Sequence, residues 1–101
     1  MIQLTAAIIT FNEEKNIARC IESLLPVADE ILIVDSFSKD KTKEISLSYP
    51  NVRFVENPFE GHIQQKNVAL KMANHPWVLS LDADEALTEE LQQSILAIKS
   101  N

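Results

Sequence analysis

The sequence contains one glycine, Gly61, in 101 residues. That scarcity excludes the glycine-rich loops that let backbone amides cradle phosphate, so a P-loop, a dinucleotide-binding fingerprint and a nucleotidyltransferase-type loop after the first strand are all missing. One cysteine, Cys20, allows no internal disulfide and no paired thiolate metal site, which fits a reducing cytosol. Basic residues are few and unclustered. Nine of them against fifteen acidic ones leave a net charge of −6, so a nucleic-acid backbone would meet a repulsive field. No apolar run approaches the roughly 18 residues needed to span a bilayer. The first ten residues, Met1 to Thr10, have no basic leader and read as a buried strand rather than a signal peptide.

With 46% hydrophobic and 24% charged residues, the chain can bury one core, and residues 1–101 form a single domain. Leu4–Ile9 is continuously apolar, as a parallel strand covered on both faces requires. Asn12 is placed to cap a helix with Glu13 and Glu14 at its positive end, and Ile17, Ile21, Leu24 and Leu25 supply the apolar stripe up to Pro26. Ile31–Val34 is a second strand, stopped by the turn residues Asp35 to Ser38. A short helix opens at Asp40 or Thr42 and runs to about Leu47, and Val52–Val55 resumes a strand beyond Pro50 and Asn51. A helix over about Ile63–Ala73 places Ile63, Leu70 and Ala73 on one face and turns Asn67 inward. Trp77–Leu81 is a fourth strand ending at Asp82, and Thr88 caps a last helix with Leu91, Ile95 and Ile98 as its stripe.

Strand and helix alternating four times call for an α/β fold: a Rossmann-like parallel sheet of about four strands, built by right-handed crossovers. Ligands of such sheets sit beyond the carboxyl ends of the strands. The polar segments after the first, second and fourth strands are therefore the candidate site: Thr10 to Glu13, Asp35 to Ser38, and Asp82 to Glu85. Carboxylates dominate that edge, and an anionic edge needs a cation. Asp82 and Asp84 can aim at one cleft once the backbone leaves the extended state. Mg²⁺ or Mn²⁺ suits such oxygen ligands and keeps phosphate oxygens and waters in the rest of its shell. An Asp-x-Asp triplet is common on solvated turns. Its place after an apolar strand and before a capped helix is what assigns it to a site.

Four segments together resemble the inverting family 2 glycosyltransferases of A-type fold: Ile8-Ile9-Thr10-Phe11-Asn12-Glu13-Glu14; Asp35-Ser36 with Ser38, Asp40 and Thr42; Gln65-Lys66-Asn67-Val68-Ala69-Leu70; and Val78-Leu79-Ser80-Leu81-Asp82-Ala83-Asp84. Within that family the wording is most similar to bacterial lipopolysaccharide core glucosyltransferases. The resemblance covers essentially the whole chain but only the front, donor-binding half of the family's catalytic domain. It implies a nucleotide-diphosphate sugar, UDP-linked, as donor and a saccharide or lipid-linked acceptor for the longer parent. It also implies a cytoplasmic setting at the inner face of a bacterial membrane. Thr10, Phe11, Asn12 and Glu13 would frame the base and ribose, and Asp35 and Ser36 would contact them. Lys66 would lie near the diphosphate, and Asn67 would tie its helix to the site. Asp82 would reach the ribose or the metal's water, and Asp84 would ligate the metal. Phe37 and Lys39 depart from the family's small residue after the second strand. No residue matches the general base, which belongs to the acceptor half, so this chain alone is expected to be inactive.

Simpler roles exist for single residues. Asp35 could cap its turn, Phe11 could be core, and Lys66 could be solvated. Cys20 reads as a small buried hydrophobe, Trp77 as a packing residue, and His62 and His75 as loop residues without a specific role. A catalytically inactive nucleotide-binding module or a phosphoacceptor domain would also gather aspartates at strand ends. A fourth strand left at an open edge would make the chain self-associate there.

Overall fold

The computed structural model describes residues 2–100. β1 (Leu4–Thr10) is buried along its length except for half-buried Ile9, which is why apolar and polar residues do not alternate in it; its two polar residues, Thr5 and Thr10, donate to buried carboxylates. It pairs in parallel with β2 (Glu30–Asp35) on one side and β4 (Trp77–Asp82) on the other, and β2 pairs in parallel with β3 (Val52–Glu56). The order is β3-β2-β1-β4. The chain thus winds outward from β1 to β3 and then crosses back over to β4. That reversal puts a topological switch point between β1 and β4.

The intervening helices are α1 (Ile17–Leu24), α2 (Thr42–Leu47), α3 (His62–Met72) and α4 (Glu89–Lys99). Ile17, Cys20, Ile21 and Leu24 of α1 meet Ala6, Ile8, Ile31 and Ile33 in the larger core, with Ile45 of α2 and Ile95 of α4 packed beside them. The opposite face carries a smaller core of Ala7, Leu32, Val34 and Ala69, covered by α3. Right-handed crossovers run in opposite directions on the two sides of β1 and so deliver α3 to the other face.

Three local expectations are corrected. Asn12 does not cap α1, which begins a turn later at Ile17. At φ 52° its side-chain oxygen accepts from the Lys39 amide at 2.8 Å, and its own amide donates to the Ser38 hydroxyl, so Asn12 ties two loops together instead. In α3 the inner stripe is Gln65 and Ala69, whereas Ile63 and Leu70 are 73% and 53% exposed and Asn67 faces solvent. Small Ala69 lets the helix approach β1, and the phase of the whole helix follows that contact rather than its larger apolar residues. Trp77 is exposed on β4, which is the edge strand on that side of the sheet. α2 begins at Thr42 with Lys41 at its cap position and no side-chain cap there, whereas Thr88 caps α4 as the sequence implies. Asp40 accepts from the amide and hydroxyl of Thr42 ahead of α2, and the Thr88 hydroxyl accepts from the Leu91 amide at the start of α4.

Candidate functional site

The carboxyl ends of β1, β2 and β4 open into one cleft of about 420 Å³. Thr10, Phe11 and Glu13 line it from the segment after β1, Ser36 from the segment after β2, Lys66 from α3, and Asp82 and Asp84 from the turn after β4. These seven are all residues assigned to the site from sequence, and the fold brings them together. Asn12, Asp35 and Asn67 do not line the cleft.

Local chemistry explains the aim of the acidic pair. Ala83 between them is buried against the α1 core, so the residues on either side of it project outward and are exposed. The turn is closed by the Glu85 amide donating to the Asp82 carbonyl at 2.9 Å, and the Glu85 carboxylate accepts from the Asp82 amide at 2.8 Å. From α1, the Arg19 guanidinium donates to the Asp84 carbonyl at 2.9 Å, and the Ser23 hydroxyl accepts from the Leu87 amide. Lys66 stands 4.0 Å from the Asp82 carboxylate. Both of those side chains are about half exposed, so the pair adds little to stability and stays available to an incoming anion.

Asp35 behaves differently. It is 1% exposed. One of its oxygens accepts from the hydroxyls of Thr10 and Ser38, and the other accepts from the Ser38 amide at 2.7 Å. Its carboxylate is therefore occupied in holding the ends of β1 and β2 and the turn between β2 and α2. Register explains the separation. Asp35 pairs with Thr10 and so faces the α1 side of the sheet, while Asp82 pairs with Ile9 and faces the α3 side. Asp35 is thus turned away from Asp82 and Asp84, and its expected contact with the base or ribose is replaced by the hydrogen bonds that hold the strand ends. Among the described residues no group of three or more acidic, histidine or cysteine side chains could hold a metal. Asp82 and Asp84 remain as a two-carboxylate set of hard oxygen donors, which suits a divalent ion that takes the rest of its shell from phosphate and water.

Phe59, His62 and Gln65 also line the cleft; Gln65 figured in the sequence only within the family-like segment, and His62, expected in a loop without a role, is instead the first residue of α3. Phe59 and His62 stack edge to face with ring centroids 5.1 Å apart, and Phe59 is 51% exposed. With Phe11, also half exposed, and Ser36 they make the apolar end of the cleft, where the same four residues also line a second, apolar pocket of about 410 Å³ that neither Lys66 nor the acidic pair lines. The signal was present: an aromatic and a histidine flank the only glycine, in the loop that follows a strand carboxyl end. Gly61 has φ 132° at the start of α3, a conformation that turns the chain into the helix. Cys20 is buried, its thiol pushed up to about 12 chiefly by that burial and further by Glu85, so it is no nucleophile at neutral pH.

A family model described as "Glycosyl transferase family 2" matches residues 5–100. The chain is 42% identical over 96 residues to the lipopolysaccharide core biosynthesis glycosyltransferase LpsC of Rhizobium meliloti, covering 91% of this chain and 35% of LpsC. It is 40% identical over 95 residues to an uncharacterized glycosyltransferase of Rickettsia typhi, covering 94% of this chain and 32% of that protein. The structure of residues 1–349 of TarS from S. aureus in complex with UDP-GlcNAc superposes with a TM-score of 0.81 at 27% identity, over 98% of this chain and 31% of the chain in that structure. The chain spans about a third of the length of these relatives.

Proposed function

The chain belongs to glycosyl transferase family 2, and on that premise we propose that it is the donor-binding part of an enzyme that moves a hexose from a uridine-diphosphate sugar to a saccharide or lipid-linked acceptor. Transfer proceeds with inversion at the anomeric carbon. The observation that carries this reading is the polarity of one cleft, with Lys66, Asp82 and Asp84 at one end and Phe11, Phe59 and His62 at the other. A nucleoside diphosphate has the matching polarity, a flat base at one end and a multiply charged diphosphate at the other. Binding of UDP-GlcNAc by TarS supports the choice of a UDP-linked donor. The likeness to LpsC supports an acceptor in the lipopolysaccharide core.

In this reading Thr10, Phe11, Glu13 and Ser36 frame the nucleoside, Lys66 meets the diphosphate, and Asp82 and Asp84 hold Mg²⁺ or Mn²⁺. Such an ion, when bound, neutralises charge on the departing nucleoside diphosphate. Lys66 contributes a second positive charge from the α3 side, and Arg19 fixes the backbone that presents Asp84. We place acceptor binding and the general base in the portion of the longer relatives that this chain does not match. The setting proposed is the cytoplasm, where the enzyme meets lipid-linked acceptors at the inner membrane face. No described helix is long and apolar enough to cross a membrane. A phosphoacceptor role for Asp35 is disfavoured, because both of its carboxylate oxygens are occupied, by Thr10 at the end of β1 and by Ser38 in the turn after β2.

Calorimetric titration of the chain with UDP, with and without Mn²⁺, tests the assignment. Binding is expected to strengthen with Mn²⁺, and Asp84→Asn is expected to remove the metal-dependent part. Equal affinity with and without metal would withdraw Asp84 as a ligand.

A further inference from the structure

Gln65 is the largest polar side chain that is fully buried, at 1% exposure, and it sits under the cleft. Its amide has a fixed orientation. The Asn57 side-chain nitrogen faces the Pro58 carbonyl, which can only accept, and so it donates to Gln65 Oε1 at 2.9 Å. The opposite atom of Gln65 lies 3.3 Å from the Asn57 carbonyl, another group that can only accept, and must therefore be the amide nitrogen. That nitrogen also donates to the Ser36 hydroxyl oxygen at 3.2 Å. The consequence falls on Ser36. Its oxygen already accepts, and its proton has no acceptor among the described residues. Ser36 is half buried at the apolar end of the cleft with Phe11, Phe59 and His62, so its O–H is free to donate into the cleft, to water or to a ligand that displaces it.

We propose that Gln65 is a positioning residue that presents the Ser36 hydroxyl as a hydrogen-bond donor to an acceptor atom of the bound base, a pyrimidine carbonyl oxygen held between Phe11 and Phe59. This rests on the nucleoside-diphosphate reading of the cleft and adds to it the polarity of the base-binding end. Gln65 reaches from α3 to the loops after β2 and β3, so it also sets the height of Ser36 relative to both aromatic rings. Asn57 is held in turn by its amide donating to the Asp35 carbonyl at 2.8 Å. Asp35 and Gln65 thus act together from beneath the cleft, neither of them exposed to solvent.

A double-mutant cycle on the full chain, read by calorimetry with UDP plus Mn²⁺ and separately with pyrophosphate plus Mn²⁺, tests this. Ser36→Ala is expected to weaken UDP about 3–10-fold, the range of one neutral hydrogen bond. Gln65→Glu presents a carboxylate that accepts the Ser36 proton and should weaken UDP at least as much. Combined with Ser36→Ala it should cost nothing further, because the group it acts through is gone. Pyrophosphate binding should be unchanged in all three variants. If Gln65→Glu fails to fold by circular dichroism, Gln65→Met takes its place, with the same non-additivity expected. Additive losses, or equal losses for UDP and pyrophosphate, would show that Gln65 merely supports the fold and would overturn the proposal. No UDP binding by the unaltered chain would defeat the nucleotide reading itself. UDP binding that Ser36→Ala leaves intact would defeat this inference alone.

Discussion

Glu30→Ala tests how the amino-terminal ends of the strands are held, opposite the cleft. The Glu30 carboxylate accepts from the Thr5 hydroxyl at 3.0 Å, from Arg53 Nε at 3.0 Å, and from the backbone and side-chain nitrogens of Asn74 at 3.2 and 2.6 Å. It therefore joins β1, β2, β3 and the end of α3 at one point. Alanine would leave the Thr5 hydroxyl, which is 0% exposed, without its acceptor, while Arg53, its side chain 36% exposed, recovers water. Breaking a buried pair costs about 3–5 kcal/mol, and the access of Arg53 to solvent favours the lower end, about 3 kcal/mol. For a domain of this size that corresponds to a fall in Tm of about 12–24 °C. The carboxyl is pushed up by burial, but the hydrogen bonds from Asn74, Arg53 and Thr5 outweigh this and hold it below its ordinary value of 4.5. A carboxyl lowered in the folded state stabilises fully above that ordinary value, and the stabilisation fades as pH falls through the folded value. The gap in Tm between the unaltered chain and Glu30→Gln should thus be constant near neutrality and narrow below about pH 4.5. Thermal melts followed by circular dichroism from pH 7 to pH 3 measure both. A loss under about 1 kcal/mol for Glu30→Ala, or a gap indifferent to acid, would refute the reasoning.

Phe37 has φ 59°, a region that glycine occupies freely and a phenylalanine only under strain, and its ring is half exposed. Phe37→Gly should stabilise the chain by about 0.5–1 kcal/mol, seen as a rise in Tm; a fall would show that the exposed ring is held by packing. The edge of β4, flanked by exposed Trp77 and by an apolar notch that Leu79, Ile95 and Ile98 help to line, should pair with a second copy. Light scattering should report a mass that rises with concentration, and Val78→Lys should return it to that of a monomer. A concentration-independent monomer would remove the edge as a contact.

Most of the architecture was legible because both sheet faces are covered. Leu4–Ile9, interrupted only by Thr5, and Ile31–Val34 are apolar on both faces, and that pattern survives without knowledge of tertiary contacts. α3 was misread in phase because its contact with β1 is set by the small Ala69 and the polar Gln65, neither of which raises an apolar periodicity. The aspartates after β4 were legible from Ala83, an apolar residue between two charges at a strand end. Asp35 was not, since the residues alone cannot tell a carboxylate that faces a ligand from one saturated by Thr10 and Ser38. The side of the sheet on which it falls depends on a register that only the fold supplies. Phe59 and His62 were not legible because the loop after β3 offers a single carboxylate, Glu60, rather than the paired polar residues found after β1, β2 and β4.

The central claim is that Asp82 and Asp84 hold a divalent ion against the diphosphate of a bound nucleotide. Paramagnetic broadening of amide resonances in an ¹⁵N-labelled chain, on adding substoichiometric Mn²⁺ with UDP, tests it most directly. Broadening should be strongest at residues 82–85 and reach Lys66 and Ser36, while Asp29, Glu30 and Asn74 at the far end of the strands stay sharp. Broadening centred on those far carboxylates, or spread evenly over the acidic surface, would contradict the account.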